Sequence, residues 1–281
     1  MTTHSLPEDL SRQVSRALRE DIGIGDVTAQ LIAVTATANA RVLCRDSAVV
    51  CGAPWFDEAF RQLDPRVQIH WQVQEGAVVA ADSELCLLSG PARALLTGER
   101  TALNFLQLLS ATATVTARYV AAIAGTGCRI LDTRKTIPGL RTAQKYAVRC
   151  GGGQNHRMGL FDCVLIKENH IAAAGTIAAA VNSARKLSPG LPIEVETESL
   201  AEVAAALASY CDIIMLDEFS LPDMQAAVAL NRAAVHPAKL EASGGVDFDR
   251  IAALAATGVD YISIGGLTKH VQAVDLSMRL I

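Results

Sequence analysis

Aromatic residues are scarce in this chain. Phe, Trp and Tyr together make 4% of its 281 residues, so any core must be filled by Ala, Val, Leu and Ile, as in layered α/β proteins. No charge of one sign dominates either. A formal net charge of −4 gives no whole-molecule attraction to nucleic acid or an anionic membrane, so neither is expected as a partner, and an anion site has to be local. There is no run of about 18 uninterrupted apolar residues, the length a membrane-spanning helix needs. Residues 1–20 lack the basic start and apolar centre of a secretory signal, and a cytoplasmic protein is expected. Paired cysteine motifs are missing too. Cys44, Cys51, Cys86, Cys128, Cys150, Cys163 and Cys211 are odd in number, contain no C-x-x-C and mostly lie in apolar runs. Reduced core thiols are expected from them rather than disulfides or zinc ligands.

What is present falls into two textures. Up to about residue 110, β-rich runs ("ARVLCRDSAVVCG", "VQIHWQVQEGAVV", "ELCLLSG") lie between an opening helix near Glu8–Glu20 and a second helical pattern starting near Ala92. A small α+β domain over 1–110 is expected, with 267–281 as a C-terminal helix packing back on it. After Gly127 the chain becomes regular: "CRILDT", "CVLIKE", "PIEVET", "IIMLDE", "KLEASGG" and "YISIGG" are short β-type runs, each followed by a helical stretch. Strands alternating with helices imply a parallel sheet. Six units without a Gly-rich dinucleotide fingerprint favour a barrel over a doubly wound sheet. Because six is fewer than eight, the expected α/β fold is an open or incomplete parallel βα barrel over 111–266, beside the smaller N-terminal α+β sandwich domain.

In such a barrel the loops leaving the strand C-termini gather where ligands bind. The strand ends here offer Arg134 and Lys135, then Lys167, Glu196, Asp217, then Ser243, Gly244 and Gly245, and finally Gly265 and Gly266. Residues 131–170 hold seven Lys or Arg against three acids, whereas 194–260 hold twelve acids against three bases. A cationic side facing an anionic side is therefore expected. The basic side suits a polyanion, the carboxylates suit magnesium or sugar hydroxyls, and the glycine pairs let backbone N–H groups approach a phosphate. A phosphorylated sugar fits. Glu194 and Glu196, two apart on one strand, share a face. Each feature has a plainer reading, such as solvated lysines, a helix cap at Asp217 or a structural His170. The ensemble also fits a Schiff-base aldolase with Lys167 as nucleophile, or a non-catalytic phosphate-ligand sensor.

The motifs "EDIGIGDVT", "GERTALNFLQ", "DTRKTIPGLR", "GGGQNHRMGLFD", "LIKENH", "EVE", "IMLDEF", "EASGG" and "GVDYISIGG" stand in the order found in the quinolinate phosphoribosyltransferases, and the chain resembles that family over nearly its whole length. Two small departures are Glu218, where Asn is frequent, and Gly266, where Ala is frequent. The resemblance implies transfer of phosphoribosyl from phosphoribosyl pyrophosphate to quinolinate with decarboxylation, giving nicotinate mononucleotide, pyrophosphate and carbon dioxide. It implies Mg²⁺ and no organic cofactor. Arg134, Arg157 and Lys167 would clamp the two quinolinate carboxylates, because guanidinium forks read such groups bidentately. His156 would orient the ring, and Lys135 would face phosphate. Glu196 and Asp217 would hold metal, directly or through water, or ribose hydroxyls. Thr133, Ser243, Gly244, Gly245, Ile264, Gly265 and Gly266 would line the phosphate end. The resemblance further implies a homodimer in which Arg100 serves the neighbouring subunit's site.

Overall fold

The computed structural model describes residues 5–281, which form two compact units. The first takes in the chain up to Ala117, Thr136–Gly152 and Gly266–Ile281; the second is Arg118–Lys135 with Gly153–Gly265.

The first unit is built on a four-stranded antiparallel sheet. Strand β1 (Thr37–Cys44) pairs on one side with β5 (Ser83–Pro91), which carries β3 (Gln68–Trp71), and on the other with β12 (Leu276–Leu280). A short ladder joins β2 (Ala48–Val49) to β4 (Val78–Val79). Helices α1 (Leu10–Ile22), α2 (Ala53–Leu63), α3 (Ala92–Ala122), α4 (Arg141–Cys150) and α10 (Gly266–Lys269) complete the elements that begin in it. Three aromatics fill its centre: Trp55, Phe56 and Phe60 on α2 are 0% exposed. Each such side chain stabilises the fold by about 1.5–3 kcal/mol. Gly98 on α3 makes room for one of them, since a Cβ there would come within 2.6 Å of the Phe60 ring.

Two expectations are corrected. The 267–281 segment is not a helix: after the four-residue α10 the chain ends in strand β12, where Leu276 and Met278 alternate with Ser277 and Arg279 and pair antiparallel with β1. Period-two alternation favours a strand once an edge is available to pair with. Residues 136–152, read as part of the barrel run, group with the first unit, because α4 packs Ala143, Tyr146 and Ala147 into the apolar cluster around Trp55.

The second unit is a six-stranded parallel sheet of β6 (Arg129–Leu131), β7 (Val164–Ile166), β8 (Ile193–Thr197), β9 (Ile213–Asp217), β10 (Lys239–Ser243) and β11 (Tyr261–Ser263). Their order, β6-β11-β10-β9-β8-β7, follows chain order around a cycle that is broken between β6 and β7. This is the expected open barrel. Helices α5 (Glu168–Ala174), α6 (Ile177–Leu187), α7 (Leu200–Ala208), α8 (Leu221–Ala233) and α9 (Ile251–Ala256) lie between the strands. Thr176, Ser199 and Ser220 start α6, α7 and α8, their hydroxyls accepting from the N–H groups of Ala179, Glu202 and Asp223. Each cap contributes about 1 kcal/mol. One face of the sheet presents Val195, Ile214, Leu216, Leu240, Ala242 and Ile262, all at most 1% exposed. The other carries the polar strand-end residues.

Candidate active site

Register decides which side chains share that polar face. Leu165 pairs with Glu194, Glu196 with Met215, Met215 with Glu241, and Asp217 with Ser243. Side chains two apart on a strand, and paired residues on parallel neighbours, point the same way. Lys167, Glu194, Glu196, Asp217, Glu241 and Ser243 therefore look out from one face at consecutive strand ends. The cations stand at or just beyond the two edge strands β6 and β7, and the acids on β8, β9 and β10 between them. The charges are not two separate walls, because Lys167 Nζ lies 2.5 Å from Glu196 Oε2. Lys167 is set by the start of α5, where its backbone N–H donates to His170 Nδ1 at 3.0 Å. His170 is thus structural. An ammonium held by a carboxylate is the opposite of the free amine that a Schiff base needs, which argues against the aldolase reading.

The end of β6 is tied to the following loop. Asp132 is 0% exposed and accepts from Asn155 Nδ2 at 2.6 Å and from the His156 backbone N–H at 2.9 Å. Gln154 N–H donates to Ile130 O, and Asp132 N–H to Gln154 O. These bonds hold His156 so that its Nε2 lies 3.0 Å from Glu194 Oε2 and 3.4 Å from Glu241 Oε2. Both carboxylates are 0% exposed. Burial opposes a charged imidazole, but hydrogen bonding to and the charges of Glu194 and Glu241 outweigh it and raise His156 to about 10. Burial raises the Glu194 carboxyl in turn. The Arg157 N–H points at His156 Nδ1 at 2.7 Å, a contact that favours the neutral ring. Two carboxylate charges outweigh one peptide dipole, and the imidazolium prevails. The half-buried Arg157 reaches the Cys163 carbonyl with Nη1 at 3.4 Å.

The glycines have geometric reasons. Gly265 lets Lys135 pass, because a Cβ there would come within 2.8 Å of Lys135 Cδ and 3.5 Å of Thr133 Oγ1. Thr133 Oγ1 also accepts from the Lys135 backbone N–H. Ile264 N–H donates to Leu131 O. Gly244, at φ +83, faces the Glu218 backbone N, which a Cβ would approach to 2.8 Å, and Gly245 has φ +52. Glu218 itself sits at φ +54, a left-handed conformation that Asn tolerates better than Glu. Arg134 is half-buried at the end of β6. Arg100 and Gly266 belong to the first unit, Arg100 with an exposed side chain whose Nη2 lies 3.9 Å from Glu99 Oε1, and Gly266 opening α10.

The sequence reading missed Asp132 and Glu241. Glu241 was detectable by the same rule as Glu194, standing two residues before Ser243 on one strand; Asp132 immediately precedes Thr133. For a cation, Glu196 and Asp217 offer hard oxygen donors, the type magnesium takes as one or two carboxylates beside waters and phosphate oxygens.

A parallel βα sheet that brings lysines, carboxylates and positive-φ glycines together at its strand ends defines an enzyme of the anion-binding, barrel-like class. Comparison narrows the class: residues 26–110 match the N-terminal domain of quinolinate phosphoribosyl transferase and residues 112–279 its C-terminal domain. The chain belongs to this family. It is 43% identical to a probable nicotinate-nucleotide pyrophosphorylase [carboxylating] of Synechocystis, over 94% of this chain and 90% of that one. Identity is 40% to the nicotinate-nucleotide pyrophosphorylase [carboxylating] of Mycobacterium leprae, over 95% of each. The solved nicotinate-nucleotide pyrophosphorylase of Francisella tularensis superposes with a TM-score of 0.94 at 47% identity, covering 99% of this chain and 98% of that one.

Proposed function

We propose that the protein transfers phosphoribosyl from phosphoribosyl pyrophosphate to the ring nitrogen of quinolinate and that the adduct loses its C2 carboxylate. The products are nicotinate mononucleotide, pyrophosphate and carbon dioxide, which places the enzyme in NAD synthesis. Membership of the family over both domains carries this reading, and the shared polar face of Lys167, Glu196, Asp217 and Ser243 supports it. The substrate chemistry matches the cations at the sheet edges: Arg134, Arg157 and Lys167 hold the adjacent carboxylates, and imidazolium His156 orients the ring. Lys135, seated against Gly265, meets phosphate as a compact charge.

In the transfer step the bond from ribose C1 to pyrophosphate oxygen breaks while the pyridine nitrogen bonds C1. Positioning and electrostatics carry such a step with little proton transfer. Glu196 and Asp217 would hold ribose hydroxyls or magnesium, directly or through water, and stabilise the cationic character developing at C1. Magnesium, when bound, neutralises charge on the departing pyrophosphate. In the second step the carbon–carbon bond to the C2 carboxylate breaks, its electron pair remains beside the quaternary nitrogen, and C2 takes a proton from water. The substrate supplies its own electron sink, so no decarboxylating base is required.

The working enzyme is a cytoplasmic homodimer in which Arg100 completes the neighbouring site. No helix among the described residues is long and apolar enough to cross a membrane. The deciding assay measures pyrophosphate release from quinolinate and phosphoribosyl pyrophosphate. Magnesium-dependent release with quinolinate and far less with nicotinate is expected; equal use of nicotinate, which lacks the second carboxylate, would contradict the three-cation clamp. Phosphoribosyl pyrophosphate binding without release would favour the sensor.

A further inference from the structure

The first unit carries a cluster that phosphoribosyl transfer does not use. Cys51 lies just before α2, Glu75 between β3 and β4, and Cys150 is the last residue of α4. These places are remote in sequence, yet one ligand atom from each side chain lies within 4.8 Å of the other two. Cys51 is fully buried, and Glu75 and Cys150 are half-buried. Cys44 and Cys86, also buried in this unit, join no such group.

Every member is held by its surroundings. The Cys51 N–H donates to Ser110 Oγ at 2.9 Å, and the Ser110 hydroxyl donates to Cys51 O at 3.1 Å. Glu75 Oε1 accepts from the Gly52 N–H at 2.8 Å and Oε2 from the Ala53 N–H at 3.1 Å. Tyr146, one turn before Cys150 on α4, also hydrogen-bonds this carboxylate. Such outer partners fix a ligating carboxylate in direction, and the lone pair that faces the Cys51 thiol is the one a cation would take. Burial raises both the Cys51 thiol and the Glu75 carboxyl.

The donor set names the ligand. Magnesium and calcium take oxygen alone, whereas two sulfurs with one carboxylate suit zinc and similar soft or borderline divalent ions. Zinc–sulfur bonds of about 2.3 Å in a tetrahedron put two sulfurs on the order of 4 Å apart, within the observed spread. We propose that Cys51, Glu75 and Cys150 bind one zinc-type divalent cation per chain, with water in the fourth position. Two thiol protons pass to solvent as the ion binds, Glu75 ligates as carboxylate, and nothing is oxidised. The ion staples the end of α4 to the entrance of α2 and has a structural role. The cation takes no part in phosphoribosyl transfer, so a chain that lacks either property can still have the other.

The test uses the full chain, reduced and freed of metal with a chelator, titrated with Co²⁺. A thiolate-to-cobalt charge-transfer absorption in the near-ultraviolet should saturate at one equivalent per chain and disappear when Zn²⁺ is added. Cys150→Ser, at a half-exposed position that leaves no large cavity, should abolish the band while circular dichroism stays native. Glu75→Gln should weaken cobalt affinity about 10- to 100-fold. Zn²⁺ should raise the melting temperature of the wild type and not of Cys150→Ser. A reduced wild type showing no thiolate band, or a band unchanged in Cys150→Ser, overturns the proposal.

Discussion

Each unit holds a cluster of fully buried side chains, and the two clusters are opposite in kind. In the first, Trp55, Phe56 and Phe60 are 0% exposed, with Phe56 5.1 Å from Phe60 and 5.3 Å from Trp71 between ring centroids. Apolar area removed from water holds such a core together. In the second, Asp132, Glu194 and Glu241 are equally buried, in a sheet whose other face is aliphatic. Buried ions are weak evidence of stability, because desolvation cancels most of the attraction. Glu194 and Glu241 stand on the face that also carries Lys167, Glu196 and Asp217, and Asp132 holds the loop whose His156 meets them. The aromatic cluster serves packing, whereas the second unit confines packing to one face of its sheet and places carboxylates on the opposite face.

Hollowing the aromatic core should separate the two clusters most strongly. Phe60→Ala should cost about 3–5 kcal/mol by denaturant unfolding, with activity per folded molecule near that of the wild type. Lys135→Ala and Arg100→Ala should do the reverse, each lowering kcat about 100- to 1000-fold without moving the melting temperature. Mixing these two inactive variants should restore activity through hybrid dimers. No recovery in confirmed hybrids would contradict the shared site.

A third contrast lies in pH. His156 is raised to about 10 when folded, against an ordinary value near 6.5. A raised group contributes stability that is complete below its unfolded value and is lost as pH climbs through the folded one. The second unit should therefore weaken between about pH 6.5 and 10. Glu194, also raised, acts in the same direction. In the first unit Glu58 is lowered to about 2, chiefly by hydrogen bonds from Arg61. A lowered carboxyl gives stability that is present above its ordinary value and lost as pH falls, so this unit should weaken in acid. Unfolding midpoints followed across pH should show both arms, and Glu194→Gln should flatten the alkaline one.

How much of the molecule is readable from its sequence follows from where each signal lies. The parallel strands are legible because strands buried on both faces read as short continuous apolar runs, and "CVLIKE" and "IIMLDE" contain β7 and β9. The polar residues at strand ends are legible for the same reason, since a charged or polar side chain that closes such a run stands out against the apolar residues before it. Strand β12 is not legible: Leu276, Met278 and Leu280 alternate, but their partner β1 lies at the far end of the chain. The assignment of α4 to the first unit is hidden because it interrupts the βα series without any linker. The Asp132 and Glu241 contacts to His156 exist only after the loop at Asn155 folds back on β6. The cysteine cluster is hidden in the same way, as spacing reveals a ligand set only when its members are neighbours in sequence.

The smallest expected effect is also the sharpest test of the acid arm. Glu58 Oε2 lies 2.5 Å from Arg61 Nε, and Oε1 accepts from Ser11 Oγ and Gln62 Nε2, both at 2.7 Å. The Arg61 side chain is 65% exposed while that of Glu58 is 10% exposed, so solvent screens the pair from one side. Glu58→Gln should then cost no more than about 1 kcal/mol near neutral pH. Below pH 4.5 the wild type loses this contribution as the carboxylate is protonated, and the variant, already neutral, has nothing left to lose. The two denaturant midpoints should converge as pH falls toward about 2 and keep a constant gap above about pH 6. A gap that instead changes at the alkaline end would mean that Glu58 and His156 have been assigned to the wrong arms.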